Sequence, residues 1–236
     1  MRCLLVEDGN RLVLIDNGMG DKQDAKFFSH YQPHETIALA DALKKINIGV
    51  EEITDVLLTH LHFDHVGGAV KRDINGNFVP TFKNATYWST KSHWEWAVNP
   101  NPREKASFLS ENIFPLQQAE QLNFIEDKGL EINGIELLVV NGHTEGQIIP
   151  VMDYKNQKVA FMADLVPSLG HLNLAYIPSY DTRPLISMQE KEDFYIKALH
   201  ENIVLFFQHD PQIECCTIQS HENKVKAKQV FKLNEL

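Results

Sequence analysis

The sequence predicts an α/β layered fold with mixed sheets. Short apolar runs typical of buried strands alternate along the chain with segments whose apolar residues recur at helical spacing. Several of the strand-like runs are separated by only a few turn residues, which favours hairpins. The 236 residues, 43% of them hydrophobic, are enough for one large domain with a complete core.

A hairpin, a helix and a strand are predicted first along the chain. Two apolar runs, Cys3 to Val6 and Leu12 to Ile15, flank the dipeptide Asp8-Gly9, which is a frequent hairpin turn. Apolar residues recur at helical spacing from Thr36 to Ile46, and this pattern predicts a helix. The apolar run from Ile53 to Leu58 predicts a buried strand.

The remaining elements continue this alternation. We expect strands at 85–89, 122–125, 135–140, 148–152, 159–162, 203–207 and 213–218. We expect helices at 91–98, 103–112 and 187–201, and a polar helix at the end of the chain with Lys224, Lys226 and Lys228 on its solvated face. Because candidate site residues run from position 60 to position 209, we expect a single domain over residues 1–236.

Composition and charge exclude several classes of function. The formal net charge of −10 leaves no basic excess for a nucleic-acid partner, and no apolar run is long enough to cross a bilayer. Acidic residues appear too early for a secretory signal peptide. The three cysteines are an odd number, and Cys215 and Cys216 are adjacent, which is a poor geometry for a disulfide. We therefore expect a cytoplasmic protein that acts on a small molecule.

The most informative motif follows the predicted strand 53–58. It reads T-H-L-H-F-D-H-V-G-G and places His60, His62, Asp64 and His65 within six positions. Imidazole and carboxylate groups are ligands that zinc and similar divalent ions prefer. A solvated turn that is rich in histidine by chance is the alternative, but surface histidines rarely cluster at this spacing. The motif therefore predicts a metal site.

Three later residues extend this pattern, because each follows an apolar strand by a few positions. His143 lies in the glycine-flanked turn G-H-T-E-G, Asp164 follows the predicted strand 159–162, and His209 follows the predicted strand 203–207. Each residue taken alone has a structural explanation, such as a turn or a helix cap. Together with the first motif, they indicate ligands that gather at one sheet edge.

These motifs, taken in order, resemble those of the metallo-β-lactamase superfamily. The resemblance implies a four-layer αββα sandwich with a two-metal site, and it leaves open whether the first N-terminal strands of the family are missing. Carried over to this sequence, the first metal is held by His60, His62 and His143, the second metal is held by Asp64, His65 and His209, and Asp164 bridges both. The resemblance also implies that Asp64 moves protons during catalysis.

A narrower resemblance follows Asp164. The pattern D-L-V-P, then His171, Tyr176, Tyr180-Asp181 and a stretch from Ser187 to Glu192, is similar to YtnP-like quorum-quenching N-acyl homoserine lactonases. Candidate substrate-binding residues are His171, Tyr176, Tyr180 and Trp94. A structural role is equally open for them, as cover of the sheet or, for Trp94, as part of the core. Pro167 stands where some lactonases carry a tyrosine that binds the substrate carbonyl, so that contact cannot be carried over.

The function expected first is metal-dependent opening of the lactone ring of N-acyl homoserine lactones or related lactones. Two divalent ions would activate a bridging hydroxide for attack on the carbonyl, and Asp64 would return a proton to the ring oxygen. Zinc is the metal expected first, with iron, manganese and cobalt as alternatives. No G-x-S-x-G motif is present, and this mechanism needs no serine or cysteine nucleophile.

Other functions stay open at the level of sequence. Thioesterases of the glyoxalase II type and organophosphate or phosphodiester hydrolases share the same ligand set, and the fold does not choose among them. An iron-dependent persulfide dioxygenase uses one iron, whereas the presence of His65 and His209 favours two metals. A binding protein with a dead site has no support, because all seven ligand positions hold competent residues. Relatives in the superfamily are often dimers, so a homodimer is also open.

Overall fold

Two units make up the part of the chain that the computed structural model describes, which is residues 1–33, 38–125, 131–132, 134–222 and 224–236. We call them the N-terminal unit, Cys3–Ser89 with Trp94–Ile125, and the C-terminal unit, Met1–Arg2 and Thr90–His93 with the described part of Glu126–Leu236. The expectation of a single domain over residues 1–236 stays a prediction.

A five-stranded mixed sheet is the centre of the N-terminal unit. The strands of this unit are β1 (Leu4–Asp8), β2 (Arg11–Ile15), β3 (Asp55–Leu57), β4 (Val70–Arg72), β5 (Phe78–Pro80), β6 (Thr86–Thr90) and β7 (Leu122–Ile125). The sheet has the order β1-β2-β3-β6-β7, and β4 pairs separately with β5. The predicted hairpin is confirmed as the antiparallel pair β1–β2, whereas β3 runs parallel to both β2 and β6.

A seven-stranded sheet is the centre of the C-terminal unit. Its strands are β8 (Glu131–Ile132), β9 (Ile135–Val140), β10 (Gln147–Tyr154), β11 (Gln157–Phe161), β12 (Val204–Phe206), β13 (Cys215–His221) and β14 (Lys224–Phe231), and they lie in the order β14-β13-β12-β11-β10-β9-β8. β11 and β12 are parallel. Burial in β13 raises the pKa of the Cys215 and Cys216 thiols to about 12, so neither is an activated nucleophile.

Helices follow or connect these strands, as an α/β fold requires. They are α1 (Ala25–Tyr31), α2 (Leu39–Lys45), α3 (Phe63–Val66), α4 (Lys91–Val98), α5 (Ser110–Gln118) and α6 (Pro184–Glu201). The helices predicted over 91–98 and 187–201 are confirmed. The helix predicted over 36–46 is found as α2, although residues 36 and 37 lie outside the described residues. Among the described residues, no helix is long and apolar enough to cross a membrane.

Two helix predictions are wrong. Residues 102–107 form turns, and the next helix, α5, begins only at Ser110. The Ser107 N–H donates to the carbonyl oxygen of Glu104, three residues earlier, which is the spacing of a turn and not of an α-helix. The final polar helix is instead β14, whose sequence K-V-K-A-K alternates with the period of a strand and pairs with β13. The lysines at this sheet edge discourage pairing with another chain.

Candidate metal-binding clusters

The histidine motif lies where two parallel strands of the N-terminal unit end. Ile15 of β2 is paired with Leu57 of β3, so the residues that follow these strands emerge at the same sheet edge. Asp16 follows β2, and its two carboxylate oxygens accept hydrogen bonds from the backbone N–H and the hydroxyl of Thr59, both at 2.8 Å. These contacts fix the segment that leads into the histidines.

Three imidazoles lie side by side beyond this edge. The ring centroid of His60 is 4.5 Å from that of His62 and 3.8 Å from that of His65. All three residues are buried, whereas the carboxylate of Asp64 is the most exposed of the four predicted ligands, with a side chain 24% exposed. We call His60, His62, Asp64 and His65 the histidine turn. Imidazoles this close together offer several nitrogen donors to one ion.

The glycine pair of the motif allows a close backbone approach. A Cβ atom on Gly67 would collide with the carbonyl group of Met19, and a Cβ atom on Gly68 would collide with the carbonyl oxygen of Asn17. The Asn17 N–H also donates to the carbonyl oxygen of His65, at 2.8 Å. The two glycines therefore let the segment after β2 pack directly against the histidine turn.

Two buried carboxylates lie behind the histidine turn. Oδ2 of Asp16 is 2.8 Å from Nδ1 of His65, and Oε1 of Glu104 is 3.3 Å from Nε2 of His62. Carboxylates in such positions orient the imidazoles that bind metals and increase their basicity. Neither acid was predicted from the sequence. Asp16 follows an apolar strand, as the predicted ligands do, and could have been found, whereas Glu104 lies in a segment predicted to be helical.

The second cluster lies at a sheet edge of the C-terminal unit. Phe161 of β11 is paired with Phe206 of the parallel strand β12, and Asp164 and His209 each follow three residues later. Parallel pairing in this register brings the two side chains together: Oδ1 of Asp164 is 2.9 Å from Nε2 of His209. Asp164 and His209 are 45 positions apart in the sequence, and they come into contact because each lies three residues after a member of the same strand pair.

His143 completes this second cluster. It lies in the turn between the antiparallel strands β9 and β10, and its Nε2 is 3.2 Å from Oδ2 of Asp164. The two oxygens of Asp164 therefore face two different imidazoles. We call His143, Asp164 and His209 the strand-end cluster. An arrangement in which one carboxylate faces two imidazoles suits a ligand shared between two ions.

The first half of α6 supports the His143 turn. Oδ1 of Asp181 is 3.0 Å from Nδ1 of His143, and the Ser187 hydroxyl donates to Oδ2 of Asp181 at 2.5 Å. A Cβ atom on Gly142 would overlap Ser187, so only glycine permits this approach. The carboxylate of Glu190 accepts the N–H of Gly142 at 2.9 Å. The role of Asp181 was also missed, although the residue was part of the quoted lactonase pattern.

The candidate substrate residues of the C-terminal unit lie beside this cluster or on its supporting loop. The Tyr180 ring is 5.5 Å from that of His143, and Tyr180 and Tyr176 are 53% and 60% exposed. Nδ1 of His171 is 2.8 Å from the Ser168 hydroxyl, and burial, together with the positive charge of Lys191, lowers the pKa of His171. Their substrate contacts stay predictions.

Trp94 occupies a different environment. It is 8% exposed and packs in the core of the N-terminal unit, where its ring centroid is 6.0 Å from that of Phe114 and 6.1 Å from that of Phe124. This packing accounts for the residue as a core aromatic, and its contact with substrate stays a prediction.

The seven predicted ligands have donor atoms that suit a metal ion. Within each of the two clusters, imidazole nitrogens lie 3.8 Å or less from a carboxylate oxygen. The sequence profile of the metallo-β-lactamase superfamily matches residues 2–209. The chain belongs to this superfamily. As a superfamily member with these His and Asp groups, the protein is a metal-dependent hydrolase, as the motifs predicted.

Curated relatives of this chain are named N-acyl homoserine lactonases. An N-acyl homoserine lactonase of Bacillus sp is 24% identical over 227 residues, which cover 90% of this chain and 82% of the relative. The N-acyl homoserine lactonase AiiA of Bacillus thuringiensis subsp. kurstaki is 22% identical over 236 residues, with the same coverage. The predicted resemblance to lactonases is confirmed at this level, while the YtnP-like subgroup stays a prediction.

Solved structures show the same fold. A probable metal-dependent hydrolase from Staphylococcus aureus has a TM-score of 0.86 at 24% identity, covering 99% of this chain and 82% of the other. AidC, a dizinc quorum-quenching lactonase solved with a homoserine product, has a TM-score of 0.77 at 22% identity, covering 95% and 77%. At these identities the likeness shows the mixed α/β metallo-β-lactamase fold.

Proposed function

We propose that this protein opens the lactone ring of N-acyl homoserine lactones or related neutral lactones, with two divalent metal ions as cofactor. The observation that carries the proposal is the carboxylate of Asp164, whose two oxygens face His143 and His209 in the C-terminal unit. The relatives named N-acyl homoserine lactonase support the substrate class. A neutral lactone also suits an acidic protein, which repels anions.

Both clusters contribute to one binuclear centre in this proposal. His60, His62 and His143 would hold the first ion, Asp64, His65 and His209 would hold the second, and Asp164 would be a ligand of both. The superfamily match supports this assignment, because it spans residues 2–209 and so includes all seven residues. The donor set of imidazoles and carboxylates fits zinc, and it also accepts iron, manganese or cobalt.

The metal ions and Asp64 divide the chemistry. When bound, two such ions polarise a carbonyl group and make water a nucleophile near neutral pH. The Asp64 carboxylate accepts the proton of the attacking water on an oxygen and delivers it to the ring oxygen as the lactone C–O bond breaks. Asp64 suits this role because it is the most exposed member of the histidine turn. The products are an acid and an alcohol in one open chain.

Aromatic side chains beside Asp64 offer a surface to the acyl chain. The ring of Phe63 is 5.3 Å from Phe27 and 4.7 Å from Tyr31, and all three belong to the N-terminal unit. Tyr31 is 46% exposed, and burial together with the charge of Asp64 raises the pKa of its phenol, which therefore stays neutral at pH 7. We propose that this neutral aromatic surface binds the apolar part of the substrate, while Tyr180 and Tyr176 contact the homoserine end.

The test is acid release from N-decanoyl homoserine lactone, followed by pH-stat with zinc-loaded protein. We expect hydrolysis by the wild type, its loss after chelation, and a rate about 10²–10⁴-fold lower in Asp64→Asn. Asp41→Asn, which changes an exposed acid on α2, is the matched control and should keep full activity. No acid release by protein that holds two zinc ions would exclude lactones and make thioesters and phosphoesters the next substrates to assay.

A further inference from the structure

A buried carboxylate with an unusual set of donors lies behind His62. Glu104 is 3% exposed, and its Oε1 is 3.3 Å from Nε2 of His62. Its other oxygen, Oε2, accepts hydrogen bonds from the indole N–H of Trp96 and from the side-chain amide of Asn101, both at 2.6 Å. A buried acid normally needs such partners, because burial of an unpaired charge is costly.

The position of this carboxylate does not depend on His62. Asn101, which donates to Oε2, also accepts the backbone N–H groups of Arg103 and Glu104 on its own side-chain oxygen, at 2.9 and 3.2 Å. The side chain and the backbone of Glu104 are therefore tied to the same residue. With Trp96 as a second neutral donor, Oε1 is held at a fixed point toward His62.

A fixed acceptor at Nε2 determines which nitrogen of His62 carries the proton. A carboxylate accepts hydrogen bonds only, so the neutral imidazole places its N–H on Nε2 and leaves the lone pair on Nδ1. The ring is also confined between His60 and Phe108, whose centroids are 4.5 and 4.8 Å away. Neither a flip nor the other tautomer preserves the contact with Glu104.

We propose that Glu104 is a positioning residue that fixes His62 as the Nε2–H tautomer and so directs Nδ1 toward a metal ion. The inference rests on the proposed function only in taking His62 as a ligand. His62 then differs from His65 and His143, whose carboxylate partners Asp16 and Asp181 face Nδ1. The negative charge of Glu104 also increases the basicity of His62 as a ligand.

Zinc affinity tests this role without any assay of hydrolysis. Glu104→Gln keeps the size of the side chain but replaces one acceptor oxygen with a donor. When its remaining oxygen accepts from Trp96 and Asn101, its NH2 group faces Nε2 of His62 and disfavours the Nε2–H tautomer. We expect the zinc dissociation constant, measured by competition with a chromophoric chelator, to rise about 10–100-fold. Glu95→Gln, at an exposed position on α4, is the matched control and should bind zinc like the wild type.

The imidazole tautomer gives a second readout that a merely structural residue would not move. In metal-free protein, long-range ¹H–¹⁵N NMR should show His62 with the proton on Nε2 in the wild type and a mixture of tautomers in Glu104→Gln. Trp96→Phe removes one anchor and leaves the acid in place, so it should weaken zinc binding less. It also keeps the test available if Glu104→Gln does not fold, because unchanged zinc affinity in folded Trp96→Phe would count against the proposal.

The outcomes separate this inference from the proposed function. Wild-type zinc affinity and an unchanged His62 tautomer in folded Glu104→Gln would overturn the role of Glu104. A wild type that binds zinc but opens no lactone, together with weakened zinc binding in Glu104→Gln, would overturn the substrate assignment alone.

Discussion

The histidine turn and the strand-end cluster reach similar donor sets by opposite routes. In the histidine turn, four candidate ligands lie within six residues, and their orienting acids Asp16 and Glu104 come from distant parts of the unit. In the strand-end cluster, the ligands themselves come from three separate strand ends, and the acid Asp164 lies between the two imidazoles. The first therefore depends on a local turn, and the second depends on sheet register.

This difference decides what each cluster tolerates. The histidine turn keeps its ligands together as long as the backbone can pack closely at Gly67 and Gly68. The strand-end cluster requires the pairing of Phe161 with Phe206, because a slip of one residue turns every following side chain to the other face. Substitutions in the two clusters should therefore fail in different ways.

The largest effect is expected for Asp164→Asn, at the centre of the strand-end cluster. The change replaces a carboxylate that faces both His143 and His209 with an amide that offers only one oxygen. We expect the rate of lactone hydrolysis to fall about 10³-fold, corresponding to several kcal/mol of lost stabilisation, and the zinc content to fall below two equivalents. Metal analysis and pH-stat rates measure both. Asp153→Asn, an exposed acid on β10, is the control. A full zinc content with wild-type rates would show that Asp164 is dispensable.

The next largest effects are expected for Asp16→Asn and Asp181→Asn. These changes alter the carboxylates that contact His65 and His143. Each change weakens a carboxylate–imidazole contact, so each should raise the zinc dissociation constant about 10–100-fold in a chelator competition. Asp16→Asn should also lower the free energy of unfolding of metal-free protein by about 1–3 kcal/mol, because the buried Asp16 also accepts two hydrogen bonds from Thr59.

The backbone does not confound this comparison, because Asp16 has a φ of +56° and asparagine adopts such angles readily. Asp16 accepts two hydrogen bonds from Thr59, whereas Asp181 accepts one from Ser187, so Asp16→Asn should lose more stability. Equal losses in the two variants, measured by urea unfolding, would contradict this expectation.

A smaller effect is expected at Lys191, beneath the loop of candidate substrate residues. Its ammonium donates to the carbonyl oxygens of Asn173, Leu174 and Tyr176, so Lys191→Met should lower the free energy of unfolding by about 1–3 kcal/mol. KM for the lactone should rise while zinc affinity stays unchanged, because none of the seven ligands is among these partners. A loss of zinc instead would place the loop in the metal centre.

Lys191 should also make the free energy of unfolding depend on pH. Burial lowers the pKa of Lys191 from 10.5 to about 8, so between these values the unfolded chain binds more protons than the folded chain. The wild type should therefore gain stability relative to Lys191→Met as the pH rises from 8 to 10.5. Urea midpoints of both proteins across this range provide the measurement, and a constant difference would contradict the prediction.

The smallest effect is expected at Glu201, away from both clusters. Lys158 and Lys197 donate to its carboxylate and lower its pKa to about 2. Glu201→Gln should cost less than about 1 kcal/mol, since the pairs are solvent-screened. The contribution is present above pH 4.5 and is lost as the pH falls toward 2. The free energies of unfolding of the wild type and Glu201→Gln at pH 7 and pH 3 test this prediction. A changed zinc affinity in Glu201→Gln would show that charges far from the metal ligands affect metal binding.

The sequence predicted what is local and missed what depends on tertiary contacts. The histidine turn and most strand positions follow from short patterns of residue type, and the strand-end ligands could be proposed because each follows an apolar run. Glu104 could not be identified, because its segment was taken as a helix and its contacts with His62 and Trp96 appear only in the folded chain. The final strand β14 was missed because its lysines suggested a solvated helix, although pairing with β13 favours its two-residue alternation.

The central proposal is that the two clusters share one binuclear centre, and zinc stoichiometry tests it most directly. His62 and His143 belong to different clusters but are assigned to the same ion. We predict two equivalents of zinc in the wild type and one equivalent in His62→Ala, in His143→Ala and in the double variant, measured by metal analysis after dialysis. A double variant that loses one more equivalent than each single variant would show that the clusters bind separate ions, and would contradict a shared centre.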